Sequence, residues 1–426
     1  MAAHLTRALK HRNYRLFFSG QTVSLVGTWI TRIATSWLVY RLTHSVFLLG
    51  IVGFFGQIPT LLLAPFAGVL VDRWDRHRIL VVTQVLSMLQ SVALAVLTFA
   101  GIITVVDVLV LQVVQGVINA FDTPARQAFV VEMVTDRADL PNAIALNSSM
   151  VNASRIIGPS VGGLLIAWVG EGWCFAADAI SYLAVLASLL AMQLEDLPLR
   201  VKDTRLLEEL RSGLRYAGRF PPVRDALLLV ALVATMGMPY TVLMPAIAAN
   251  VLHGGPHTLG YLMTASGFGA LGGAFYLASR RSVLGLGRVM VVATAAFGAG
   301  LIAFSFSRVL WLSLLTLPVV GGGMMVEMAA TNTILQTIVE DEMRGRVMSF
   351  YTMAFLGTAP LGSLLAGFVA ARIGPMVTIT LGGIACVLGA LVFSVRLPTL
   401  RAHVRPIYIE RGILAAAEIE GGTKSL

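Results

Sequence analysis

The sequence predicts an all-α membrane protein with twelve transmembrane helices in two pseudo-symmetric six-helix bundles, and three observations carry that expectation. Twelve apolar runs, each near the length that crosses a bilayer, fill the 426 residues. A hydrocarbon core of about 30 Å takes roughly 20 apolar residues per helix. Hydrophobic residues make up 57% of the chain, charged residues 12%, and mean hydropathy is +0.82. A water-soluble fold would have too little polar surface to cover itself. The basic residues fall almost wholly in every second gap between the runs, which is the pattern of loops retained on one side of a membrane.

In order, the runs begin near Leu16, Phe47, Ile79, Val105, Ala143, Trp173, Ala226, Leu259, Val289, Leu310, Val347 and Met376. Of the 31 Lys and Arg residues, about 26 lie in the leading arm, the tail and the even-numbered gaps, so both termini are expected on the cytoplasmic side. The opposite gaps hold Arg41, Arg308 and Arg372, and Arg32 and Arg155 lie inside expected spans. Arg7, Lys10, Arg12 and Arg15 ahead of the first run imitate a signal peptide. That run is too long for one and no small-residue cleavage site follows it, so it is expected to stay as span 1. The net charge of +9 is spread along one membrane face without a basic-aromatic cluster. It fits anionic lipid headgroups rather than nucleic acid. Cys174 and Cys386 show no metal spacing, and neither a metal nor a cofactor is expected.

The longest internal interruption separates an N-terminal bundle (1–194) from a C-terminal one (225–396), with a linker at 195–224 and a cytoplasmic tail at 397–426. Within the linker, Leu206, Leu207, Leu210, Leu214 and Tyr216 alternate with charged residues at helical spacing, the pattern of an amphipathic helix on the membrane surface. The halves repeat weakly at an offset of about 200 residues. Gly162, Leu164, Leu165 and Val169 in span 5 answer to Gly362, Leu364, Leu365 and Val369 in span 11, after Pro159 and Pro360 respectively. Parallel six-helix repeats suit a rocking carrier.

After span 2 comes Gly68-Val-Leu-Val-Asp72-Arg73-Trp-Asp75-Arg76-His77-Arg78. A small residue for close helix approach is followed by a carboxylate and several guanidiniums, whose pairs can be made and broken between two arrangements. A basic loop that only fixes topology is the plainer reading. Span 5 carries Gly158-Pro159-Ser160-Val161-Gly162-Gly163, in which proline frees backbone carbonyls and glycines permit contact. The first segment resembles the signature between helices 2 and 3 of the major facilitator superfamily, and the second resembles the signature of its antiporter branch. Asp75 replaces the usual glycine of the first, and Ser154 the glycine expected upstream of Gly158. Phe121-Asp122-Thr-Pro124-Ala-Arg126 and the Arg344-Gly345-Arg346-Val347 turn resemble the exporter branch that includes the enterobactin exporter and related multidrug pumps. The resemblance implies export more than import, and a conformational charge cluster of Asp72, Arg73, Arg76 and Asp122. It also makes Arg155, Gly158, Pro159, Gly162 and Gly163 the antiporter-motif packing.

Gly267-Phe-Gly269-Ala-Leu-Gly272-Gly273 in span 8 matches a dinucleotide fingerprint formally. No strand precedes it and no acid follows at the required distance, so helix packing explains it better, with span 5 as the partner the resemblance implies.

Ionisable groups inside spans narrow the functional candidates, because a mid-bilayer charge costs about 2.5–3.5 kcal/mol on insertion scales. Arg32, Arg155, Asp178 and Glu327 are such groups, while Asp107 lies nearer an interface. The resemblance places spans 1, 4, 7 and 10 around a central cavity, so Arg32, Gln112, Gln115 and Glu327 are cavity candidates. Gln112 stands where many proton-coupled members have arginine. Glu327 and Asp178 are the proton-coupling candidates, against the alternative that each is a permanently paired structural charge.

All seven histidines fall in expected loops or tails, so Ser266, in a segment resembling the serine motif of rhomboid proteases, has no general base; an enzyme is not expected. No phosphate-binding loop of the ATPase type appears, so energy must come from a gradient. The expectation is a monomeric carrier of the bacterial inner membrane, exporting a small amphipathic molecule, a drug, siderophore or metabolite, in exchange for protons by alternating access. A lysophospholipid flippase or a gradient-driven uniporter of the same fold is the alternative.

Overall fold

The computed structural model describes residues 7–134, 136–193, 206–280 and 282–414. The first half contains α1 (Arg12–Thr43), α2 (Val46–Arg73), α3 (Arg76–Phe99), α4 (Val105–Met133), α5 (Leu140–Val169) and α6 (Glu171–Leu190). After α7 (Leu206–Arg219) come α8 (Pro221–Val251), α9 (Pro256–Ser279), α10 (Leu286–Phe306), α11 (Leu310–Ile338), α12 (Glu342–Ile373) and α13 (Pro375–Glu410). No strand occurs among the described residues.

Ten of these helices are long and apolar enough to cross a membrane. The other two of the expected twelve, α1 and α9, have the length, 32 and 24 residues, but are less apolar. Buried polar residues such as Gln21, Ser24 and Thr35 dilute α1, and glycine dilutes α9. Helices that bury such groups against other helices do not need a continuous apolar surface.

The helices begin where capping chemistry dictates. Ser45 accepts from the Leu48 N–H to start α2, and Thr104 and Asp107 form a reciprocal capping box at the start of α4. Asp107 is therefore a cap. Asp75, standing in place of the family's glycine, accepts from the His77 and Arg78 N–H groups and starts α3 at φ −62. The turn needs no left-handed residue, and a capping carboxylate serves it.

The chain divides into two compact units, Met1–Asp203 with Val242–Thr264, and Thr204–Thr241 with Ala265–Leu426. In the first unit α1 lies against α5 and α6, α2 against α4, and α3 against α4 and α6. One core of this unit gathers Tyr14, Phe17, Phe129, Met133 and Leu189. In the second unit α10 packs between α11 and α13. A second core of Val223, Met290, Leu335, Val347 and Phe393 closes it.

Three helical turns widen to π geometry, at Val233–Gly237 and Ile247–Val251 in α8 and Met353–Gly357 in α12. Such bulges release the regular hydrogen-bond ladder, and they are frequent where helices bend or bind. The repeat between halves has a backbone signature: among the described residues, His44 after α1 and His253 after α8 are the non-glycine residues with positive φ, each at 49°.

The amphipathic linker helix is present as α7. The first part of the linker and the side chains of residues 206–211 lie outside the described residues. Its described inner face meets protein: Gly213 abuts Phe350 and Arg346 of α12, and Arg346 donates to Ser212 Oγ at 2.8 Å. Leu214 points away from that face and is 63% exposed.

One expectation about packing is corrected. In the Gly267–Gly273 stretch, the positions of Gly269 and Gly273 close on Pro318 and Gly322 of α11, and Gly321 of α11 returns the contact at Ser266. The α9 contact with α5 falls earlier, at Gly260. Small residues on two faces of α9 serve two different neighbours, which a single motif match does not separate.

Candidate transport site

Four groups of residues were singled out by sequence, and the structure distributes them as follows. Where α2 passes into α3, Arg73 is exposed and the Asp72 side chain lies outside the described residues. Arg76 donates through Nη1 to Glu132 of α4. Asp122 accepts from Thr83 Oγ1 at 3.0 Å and Gln84 Nε2 at 2.8 Å, and pairs with Arg126 one turn on at 3.4 Å. Glu132 escapes a tally of basic residues loop by loop; an acid in the last turn of span 4 is its signal. Beside this cluster, Asp139 receives Lys10 at 2.7 Å and His11 at 3.1 Å, and Asn142 accepts from the Ala8 N–H. Lys10 and then His11 hold the Asp139 carboxyl below the usual carboxylate range.

Deeper in the same unit, Asp178 of α6 is buried. Its Oδ2 accepts from Ser91 Oγ at 2.9 Å, and Ser181 lies beside it. Gln115 donates to Ser87 Oγ and Asn119 Oδ1, and Gln112 stands over Gly56. These contacts extend a polar seam down α3 through Thr83, Gln84, Ser87, Gln90 and Ser91, all buried. The seam was legible as polar residues at 3- and 4-residue spacing inside an apolar span. A search confined to ionisable groups passed over it.

On α1, Arg32 places its guanidinium carbon 5.0 Å from the centroid of the Trp29 ring, and Arg155 of α5 lies 6.0 Å from the same ring. The helices meet there because Gly158 has no side chain: a Cβ on it would stand 2.3 Å from Trp29 Cβ. Gly162 faces Ile30 one turn further. Gly163 and Gly260 bring α5 against α9, and Ser160 shares a 2.6 Å hydrogen bond with Thr264. Pro159 lies within the continuous α5.

In the second unit, Glu327 of α11 is fully buried. Thr331 donates to its Oε1 at 3.1 Å, and Oε2 has no hydrogen-bond partner among the described residues. Tyr351 and Cys386 lie within reach of its charge, and Tyr351 itself donates to the Met328 carbonyl. Asp178 thus sits in a hydroxyl-lined pocket, and Glu327 in an almost apolar one.

The sequence of the chain matches the transmembrane secretion effector family over residues 5–411. The chain belongs to that family of major facilitator transporters. A staphyloferrin A transporter of Staphylococcus aureus is 28% identical over 387 residues, covering 89% of this chain and 95% of that protein. Multidrug efflux pump Tap of Mycolicibacterium fortuitum is 30% identical, covering 88% and 93%. An enterobactin exporter of Citrobacter koseri is 23% identical, covering 93% and 94%. Among solved structures, a nucleoside transporter matches with a TM-score of 0.69 at 14% identity, covering 92% of this chain and 99% of that one. A POT family transporter in complex with 5-aminolevulinic acid matches with a TM-score of 0.71 at 10% identity, covering 91% and 96%, so both show the fold. This member of the secretion effector family is a multi-pass membrane transporter of small molecules and not an enzyme.

Proposed function

We propose that this transporter exports a small amphipathic molecule, a drug, siderophore or metabolite, across a bacterial inner membrane by alternating access, in exchange for protons. It works as a monomer with both termini in the cytoplasm. The relatives named for staphyloferrin A, enterobactin and multidrug efflux support export of this class, and the segregation of basic residues supports the orientation.

The observation that carries proton exchange is the environment of Glu327. A carboxyl buried in a membrane helix with one oxygen unsatisfied is costly in its charged form. Gaining or losing one proton therefore changes the energy of the packing around it, which is how a chemical gradient can bias conformation. Asp178 is the second candidate, and its hydroxyl partners suit a fixed structural charge better.

The test is uptake into inverted vesicles under an imposed pH gradient, with staphyloferrin A, enterobactin and a macrolide as trial substrates, in wild type and Glu327→Gln. Gradient-driven accumulation of one of them is expected in wild type and not in the variant. Transport that persists after the gradient is dissipated would point to uniport or lipid movement instead.

A further inference from the structure

Arg32 and Arg155 present a second problem of membrane electrostatics that proton exchange does not resolve. Both lie inside membrane-spanning helices, α1 and α5, and both guanidiniums approach the Trp29 ring. The charged group that acts on Arg32 is Arg155 itself. Two like charges held together in a bilayer segment repel each other, and each carries its own desolvation cost.

A structural role would give them a carboxylate. The described carboxylates of this unit are committed elsewhere: Asp178 to Ser91, Asp122 to Arg126, Glu132 to Arg76, Glu171 to Arg41, Asp139 to Lys10, Asp136 to the Ala138 amide, and Asp75 and Asp107 to helix caps. The indole supplies part of the compensation, since an aromatic face attracts a cation. It offers no full negative charge. Arg32 is exposed and Arg155 half-buried, so both forks remain accessible to a solute.

We infer that Arg32 and Arg155, positioned by Trp29, form an anion-binding pair for the transported molecule, whose class is a small organic anion bearing a carboxylate or similar oxyanion. This rests on the reading of the chain as an exporter and names the chemistry of its cargo. Guanidinium is suited to the task because it stays charged and meets planar oxyanions through two parallel hydrogen bonds. The close approach of α1 and α5 at Gly158 sets the spacing of the two forks.

The test is equilibrium binding of radiolabelled phthalate to the purified full-length protein in detergent, with tetraphenylphosphonium as the cationic comparison. Saturable phthalate binding is expected, weakened about tenfold or more by R32Q and by R155Q. R32K and R155K, which keep the charge but lose the fork, are expected to fall between wild type and the Gln variants, and tetraphenylphosphonium binding should not fall in the Gln variants. Size-exclusion elution as a single peak checks that each variant is folded. Absence of saturable phthalate binding, or binding indifferent to both Gln variants, overturns the inference. Because the assay uses no gradient, its failure leaves proton exchange standing, and loss of proton exchange leaves the anion pair standing.

Discussion

Gly170 and Gly374 hold nearly the same backbone shape, φ 86 with ψ 173 and φ 86 with ψ 156, and each closes one helix and opens the next. They sit at matching places in the two halves, after α5 and after α12. Neither has another atom within reach of an added Cβ. The requirement for glycine is therefore one of backbone conformation alone, in a region that residues with a side chain enter at a cost of about 1–3 kcal/mol. Gly170→Ala and Gly374→Ala are each expected to lower the melting temperature of the purified protein. Stability equal to wild type in both would show that the joints relax freely.

Gly158→Leu tests the opposite kind of glycine, one required by contact. Its side chain would be driven into Trp29, with an expected cost of about 1–3 kcal/mol or more for overpacking. Thermal unfolding followed by tryptophan fluorescence measures it, and an undiminished midpoint would contradict the close α1–α5 approach.

The Arg76–Glu132 pair joins the start of α3 to the last turn of α4. Removing one partner leaves a half-buried charge behind. Glu132→Gln is expected to reduce transport rate, and the exchanged pair Arg76→Glu with Glu132→Arg to recover part of it. Recovery is the informative outcome, because a simple loss of folding would not be reversed by the swap.

Asp139 gives a pH dependence of known sign. Its carboxyl is held low by Lys10 and His11, so the contact stabilises the folded N-terminal arm at and above the ordinary carboxylate range. That stabilisation is lost as pH falls through the lower folded value. Trypsin cleavage at Arg7, Lys10 and Arg12 cannot be run at such pH, so hydrogen exchange of the Ala8 amide, bonded to Asn142, is the measurement. Exchange protection is expected to fall on acidification in wild type and to lie low and flat in Asp139→Asn.

Asp75→Ala removes a cap that satisfies two amides, with an expected loss of about 1 kcal/mol, and Asp75→Asn is expected to retain most of it. Equal melting temperatures for the Ala and Asn variants would mean that the cap contributes nothing.

Helix positions were largely legible in the sequence. Runs read as starting at Val105 and Leu310 begin there, and the others begin a few residues earlier, as at Arg76 for Ile79 and Glu342 for Val347. The cause is physical: a hydrogen-bonded helix starts at its cap, whereas an apolar run starts at the first residue that avoids water. The intramembrane charges were legible because apolar sequence makes them conspicuous. Their partners were not. Whether Asp178 meets Ser91, or Arg155 shares an indole with Arg32, depends on the rotation of helices about their axes, which hydropathy leaves open.

The last helix has a consequence beyond the bilayer. At 36 residues and a rise of 1.5 Å each, α13 is about 54 Å long, against a hydrocarbon thickness of about 30 Å. It passes Pro398 and Pro406 unbroken, and Arg396 Nη1 donates to both carboxylate oxygens of Asp225 at 3.1 Å. Its final turns do not stand free: Leu400 and Tyr408 are buried in the core of the second unit and Arg411 donates to the Val339 carbonyl, so a fluorophore at exposed His403 would report displacement of that whole unit rather than bending of the helix itself.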